Sequence, residues 1–192
     1  CRSRPFIDWA GPIMTEAVSG TGPAGETENL HRLYTQVKPD FIRVDADEVT
    51  YPAHVILRYR LEKALLSGDM SLDDLPGAWN DGLKALLGIV PASDREGCLQ
   101  DVHWYDGAWG YFPTYTLGAM TAAQLFASAK EADVDIEVGI TKGNFHPLMA
   151  WLGENVHGKG RLMSASELLT QATGRPLDTD VFKNHLKNRY LA

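Results

Sequence analysis

The 192-residue chain is 44% hydrophobic and 22% charged, the balance of a soluble globular protein long enough to bury a sizeable core. A formal net charge of −7 argues against a general nucleic-acid binder, which needs a basic face to neutralise phosphates, but it leaves room for a local positive pocket. Two cysteines, Cys1 and Cys98, cannot build a disulfide framework and no N-x-S/T sequon occurs, so a reducing, cytoplasmic setting is expected.

The chain opens on Cys1-Arg2-Ser3-Arg4-Pro5-Phe6, without a basic-plus-apolar leader, and reads as starting inside a longer protein. Pro12 and the run Gly20 to Gly25 predict a loop-rich entry over 1–25. A helix is then expected over Glu26 to Val37, where Leu30, Leu33, Tyr34 and Val37 have helical spacing, ended by Lys38-Pro39. Phe41-Ile42-Arg43-Val44 is β-prone and reads as a short strand or extended entry. Asp45 to Ser67 is the longest helical stretch, with a stripe of Val49, Ala53, Ile56, Leu57 and Leu61. Arg58, Arg60, Glu62 and Lys63 place charge on its other faces. Pro52 kinks that helix or marks a new start, and Gly68 closes it.

Ser71-Leu72-Asp73-Asp74 predicts the start of a helix carrying Leu75, Trp79, Leu83 and Leu86-Leu87, stopped by Gly88 and weakened by Gly82. Further helices are expected over Pro113 to Ala132, Asn144 to Val156, Ser164 to Thr173 and Asp178 to Leu191. Gly107 to Ala129 has no formal charge and is long enough to span a bilayer. It also contains Pro113, Gln124, Ser128 and several Thr and Gly, so a helix enclosed by protein is the expectation, with no membrane role. The fold class read from these elements is mainly α, bundle-like, with at most a few short strands, in one helical unit over 1–192 whose body is 26–192.

Gly20-Thr21-Gly22-Pro23-Ala24-Gly25 matches G-x-G-x-x-G in letters, with Asp45 at the distance of a ribose-binding acid. No strand feeds the glycines and no βαβ pattern follows, so a surface loop is expected and not a nucleotide site.

Three denser stretches carry the chemistry. In Arg43-Val44-Asp45-Ala46-Asp47, Arg43 either pairs with Asp47 near a helix start or offers a planar fork to a carboxylate. In Gly97-Cys98-Leu99-Gln100-Asp101-Val102-His103-Trp104, His103 is either a satisfied structural residue or a ring oriented by Gln100 and Asp101. Tyr111 and Tyr115, four apart, share a face and either pack or place a phenol at a reacting group. His54, His31, His185, His146 and His157 have no acidic partner at ligand spacing, and Cys98 has no second Cys close by. No metal-ligand set is therefore expected in this chain.

These stretches, in this order, resemble the C-terminal part of the carboxypeptidase Taq family of zinc metallopeptidases. Arg43, Ala46 and Asp47 fill that family's R-x-x-A-D pattern, and Gly97, Gln100, Asp101, His103 and Trp104 fill G-x-x-Q-D-x-H-W. The resemblance implies that Arg43 and Gln100 bind substrate, with Arg43 gripping a peptide's terminal carboxylate. It implies that His103 stabilises the oxyanion, assisted by Tyr115 or, less directly, Tyr111, and that Asp47, Asp101 and Trp104 support the site. It also implies a mostly helical, commonly dimeric enzyme whose zinc sits on an H-E-x-x-H helix and a following H-E-S glutamate. No His here is followed by Glu; a similar Arg-Ser stretch in the family follows the third zinc ligand. The expectation is therefore a C-terminal, substrate-binding portion that partners the missing N-terminal half and binds no zinc by itself. The alternative is a non-catalytic helical remnant that acts as a binding or structural protein.

Overall fold

The computed structural model describes residues 2–18, 20 and 22–191. Cys1 and Thr21, the latter inside the Gly20–Gly25 run, lie outside the described residues. The described residues contain nine α-helices: α1 Arg4–Ala17, α2 Thr27–Tyr34, α3 Tyr51–Ser67, α4 Leu75–Leu87, α5 Pro113–Ala132, α6 Asp135–Thr141, α7 His146–Asn155, α8 Ala165–Thr173 and α9 Thr179–Tyr190. Short 3₁₀ turns occupy Pro23–Gly25, Arg43–Asp45 and His157–Lys159, and no strand occurs among the described residues. None of these helices is long and apolar enough to cross a membrane. They form two compact units, one from the described residues of Cys1–Gln36 and Ala119–Ala192, the other Val37–Gly118.

In the first unit, Ala129, Ile136 and Ile140 are buried and gather Phe6, Phe126, Phe145, Leu148 and Trp151 around them. The predicted entry loop is instead helix α1. Pro5 sits in its first turn and Pro12 lies inside it. A proline at that position removes one amide donor, but Phe6 and Trp9 pack edge-on and Trp9 meets Phe145 at 5.4 Å between ring centres. Tertiary packing overrides local propensity there. Helix α6, which the sequence did not predict, is only seven residues long. Its signal is a single buried pair, Ile136 and Ile140.

Gln124, the polar residue that spoils a bilayer span, is fully buried. Its amide donates to Thr173 Oγ1 at 2.8 Å and to the Pro176 carbonyl at 3.1 Å, and its Oε1 accepts from the Asp178 amide at 2.8 Å. One side chain thus satisfies the turn between α8 and α9, where helix hydrogen bonds cannot reach. The caps of those helices follow the sequence: Ser164 and Glu167 form a reciprocal capping box, Gly174 takes a left-handed conformation, and the Asp178 side chain caps α9.

In the second unit, α3 and α4 pack Leu57, Leu61, Leu75, Trp79, Leu83 and Cys98 into one core. Pro52 marks the start of α3 and does not kink it. The buried face of α3 differs from the predicted stripe. Ile56 is exposed, whereas His54, Arg58 and Glu62 are buried beside Val55, Leu57 and Leu61. Arg58 and Glu62 were expected in solvent, and their burial brings charge beneath the segment that follows α4. Of the two readings of Phe41–Val44, the extended entry holds: no strand forms, Ile42 is extended and the stretch ends in the Arg43–Asp45 turn.

Gly82, the weak point of the predicted α4, has a packing cause. A Cβ added there would overlap Leu57 Cδ1, and Leu57 is 2% exposed with no room to swing away. Gly82→Ala gains about 1 kcal/mol of helix propensity, yet overpacking of this kind costs roughly 1–3 kcal/mol. Net destabilisation of up to about 2 kcal/mol is therefore expected in urea unfolding. A more stable variant would mean that α3 and α4 do not approach closely at this glycine.

Candidate functional site

The site lies in the second unit, on the irregular segment between α4 and α5, which has too few internal backbone bonds to hold itself. Gln100 fastens it to residues 41–43. Its Nε2 donates to the carbonyls of Phe41 and Glu96, each at 2.9 Å, and Gly97 at 3.1 Å, while its Oε1 accepts from the Arg43 amide at 2.7 Å. The side-chain amide thus gives Phe41 and Arg43 the backbone partners that a neighbouring strand would have supplied. That explains why β-prone residues form no ladder here.

Asp101 follows Gln100 and its side chain is 5% exposed. Its Oδ2 accepts from Arg43 Nε at 2.8 Å and Nη2 at 2.7 Å. Its Oδ1 accepts from the His103 amide at 3.1 Å and bonds the His103 ring at Nδ1. The other ring nitrogen, Nε2, lies 2.9 Å from Tyr115 Oη. With Nδ1–H given to Asp101, Nε2 of the neutral ring accepts from the phenol. Arg43 also donates from Nη1 to Tyr51 Oη at 2.7 Å. Of its five N–H groups, three are so engaged and two remain.

The rings around this chain of bonds fix the imidazole plane. His103 stacks on Tyr111 at 5.8 Å and meets Phe112 at 5.0 Å and Tyr115 at 5.7 Å edge-on. Tyr111 and Tyr115 meet edge-on at 5.5 Å, so the shared helical face expected from their spacing is realised as a contact. Tyr111 is half exposed and Phe112 is buried.

Burial would raise the Asp101 carboxyl, but the hydrogen bonds from His103 and the charges of Arg58 and Arg43 outweigh it and hold it below the ordinary carboxylate range. Burial likewise opposes the Arg43 charge, yet Tyr51 and Asp101 raise that group above its usual value. Tyr115 is raised by burial and then by Tyr111, which keeps its phenol a donor. Burial pushes the Cys98 thiol up, the opposite of a reactive cysteine.

Of the residues singled out in the sequence, Arg43, Gln100, Asp101, His103, Tyr111 and Tyr115 come together. Asp47 does not pair with Arg43, whose ionic partner is Asp101. It closes the entry to α3 instead, accepting from the amides of Lys38, Val49 and Thr50 at 2.9 Å each and from the Thr50 hydroxyl at 3.0 Å. Trp104 turns away from the imidazole and donates from Nε1 to Glu62 at 2.9 Å, and Glu62 also takes the Gly110 amide. Tyr51, Phe112, Arg58 and Glu62 join the site without any sequence signal beyond their residue types. Among the described residues no group of three or more His, Cys, Asp or Glu could hold a metal.

The depressed Asp101 carboxyl has a consequence for stability. Its contribution is fully present above the unfolded value of about 3.9 and is lost as pH falls through the lower folded value. Urea unfolding followed from neutral to acid pH should therefore show a loss that Asp101→Asn largely removes, with the variant less stable at neutral pH. Equal acid limbs in both proteins would mean that Asp101 is not held ionised by these partners.

The family model for the carboxypeptidase Taq (M32) metallopeptidases matches residues 1–190. Thermostable carboxypeptidase 1 of Pyrococcus furiosus is 40% identical across 99% of this chain, and carboxypeptidase 1 of Bacillus subtilis is 45% identical across 96%. The chain spans only 38% and 35% of their respective lengths. The solved structure of Trypanosoma cruzi metallocarboxypeptidase 1 superposes with a TM-score of 0.94 at 40% identity, over all of this chain and 40% of that one. Its match over nearly every residue places the chain in the carboxypeptidase Taq (M32) family of metallopeptidases.

Proposed function

We propose that this chain is the C-terminal, substrate-binding portion of a zinc metallocarboxypeptidase that removes residues from peptide C-termini. The observation that carries the reading is one carboxylate, Asp101, holding Arg43 and His103 at once, with Tyr115 on the free nitrogen of His103. Family membership supports peptide hydrolysis as the chemistry. Zinc, a dimeric state and a cytoplasmic location belong to the same proposal.

Arg43 is assigned to the terminal carboxylate of the substrate. Its Nε and Nη2 are committed to Asp101, which fixes the plane of the fork, and its two remaining N–H groups suit a second carboxylate. Gln100 sets the height of that fork through the Arg43 amide. His103 and Tyr115 are assigned to the negative charge that develops on the scissile carbonyl oxygen; donors fixed in advance at such a position are worth ~10²–10³ in rate each. Tyr111 shields the imidazole and borders the substrate. The described residues do not fit a catalytic metal, which needs at least three protein ligands. The metal and its activated water are therefore assigned to chain outside these 192 residues.

The test is a chimera in which this chain replaces the matching part of the Bacillus subtilis carboxypeptidase 1. It should cleave peptides with a free C-terminus and spare amidated ones. Arg43→Lys should lower kcat/KM about 10–100-fold through loss of charge-assisted bonds. His103→Ala and Tyr115→Phe should lower kcat more than they raise KM, with circular dichroism unchanged. Equal cleavage of amidated peptides would sink the Arg43 assignment, and a folded chimera without turnover would favour a non-catalytic binding role.

The 192-residue chain alone should neither take up stoichiometric zinc nor turn over peptide, because His103 and Tyr115 then have no activated water to assist. Metal analysis and a peptidase assay in added zinc check this. Chelator-sensitive turnover would overturn the assignment of the metal to other chain.

A further inference from the structure

Arg58 is 1% exposed, and none of its three side-chain nitrogens has a hydrogen-bond partner among the described residues. A buried charge in that condition is costly unless something else in its surroundings uses it. Its guanidinium carbon lies 4.0 Å from the ring centre of Trp104 and 4.4 Å from that of Phe112. The Phe112 ring also carries the Arg43 guanidinium at 5.0 Å and touches the His103 ring edge-on. Two arginines thus rest on one buried phenylalanine that itself braces the imidazole.

These contacts face both ways: Trp104 packs on the α3–α4 core and Trp79, whose ring centre is 5.8 Å from the guanidinium carbon, lies within it, whereas Phe112 touches Arg43 and His103. Glu62, one turn further along α3, makes no ion pair with Arg58 and spends its oxygens on Trp104 and Gly110. The carboxylate on which the Arg58 charge acts most strongly is Asp101, whose own bonds go to Arg43 and His103. The remaining groups around Asp101 and His103 are the phenols of Tyr51, Tyr111 and Tyr115. Arg43 and His103, the two residues that bond Asp101, thus both touch Phe112, the ring on which the unbonded Arg58 rests.

We propose that Arg58 is a positioning residue for this site: clamped between Trp104 and Phe112, it holds the Phe112 ring against the Arg43 guanidinium and the His103 imidazole, so that both stay in register on Asp101. The proposal rests on the reading of Arg43 and His103 given above. A purely structural Arg58 would stabilise the core and leave the His103 ring indifferent to its charge.

The material for the test is the 192-residue chain itself. Arg58→Met and Arg58→Gln both keep length and remove charge. Removing a buried charge that has no hydrogen-bond partner relieves its desolvation cost. In ¹⁵N-histidine-labelled protein the His103 Nδ1–H resonance, assigned by its absence in His103→Ala, reports the bond to Asp101. Carboxyl ¹³C spectra report the titration of Asp101. Both variants should keep their helix content and cooperative unfolding, while Nδ1–H exchanges with water about tenfold faster or more, the scale set by a charge-assisted hydrogen bond. The Asp101 midpoint should rise by about one pH unit or more on loss of a nearby opposite charge.

Unchanged exchange and an unchanged midpoint in a folded variant overturn the proposal. So does unfolding of both variants, because Arg58 then holds up the core and not the site. These readouts need no turnover. An inactive chimera would sink the carboxypeptidase reading and leave Arg58 in its role, whereas an indifferent His103 would sink the role and leave the reading standing.

Discussion

The Asp101 carboxylate is the constraint on which the second unit's chemistry depends. A carboxylate offers about four acceptor positions, and here they are divided between two oxygens. Oδ2 takes two N–H groups from Arg43, and Oδ1 takes the ring and amide of His103. Arg43 lies 58 positions from the carboxylate that holds it. Neither Arg43 nor His103 can turn without stranding a buried charge, and stranding one costs more than the pair contributes while intact.

That arrangement would collapse on an unsupported loop, and two side chains give the 97–112 segment its rigidity. At one end the Gln100 amide binds backbone on both sides, at Phe41 and Arg43 and at Glu96 and Gly97. At the other, buried Glu62 takes Trp104 Nε1 and the Gly110 amide. Irregular backbone needs such partners because it lacks the internal ladder of a helix. Each brace is a polar group whose own bonding capacity is largely used, which makes a buried polar network rigidifying instead of costly.

The sequence disclosed the parts of this design that are local. Ser164 with Glu167, the glycines after α3, α4 and α8, and Pro113 at the start of α5 act over one helical turn, and they appear where spacing put them. Arg43, Gln100, Asp101, His103 and Tyr115 were visible because they fall into three short runs. What escaped was set by tertiary partners. Pro12 marked a loop only while Trp9 and Phe145 were unknown neighbours. Phe41 to Val44 looked like a strand because nothing local reveals that its partner is a side-chain amide. Arg58 and Glu62 looked solvated because charge usually is; their burial is dictated by Trp104, Phe112 and Gly110, some 40–55 positions away. Tyr51 reaches Arg43 only because Asp47 closes the turn between them.

The bond between His103 and Tyr115 limits how the two can act together. When Asp101 takes the Nδ1 proton, the neutral ring has no second proton, so Nε2 must accept and the Tyr115 hydroxyl must donate inward. In that state neither group faces a substrate with a free donor. Put a proton on Nε2 and the direction reverses: the ring donates to the phenol oxygen, and the Tyr115 O–H is released to point outward. The phenol would therefore be the outer donor to a developing oxyanion and the imidazole the group behind it, with its polarity set by Asp101. The order follows from counting protons along one line of bonds.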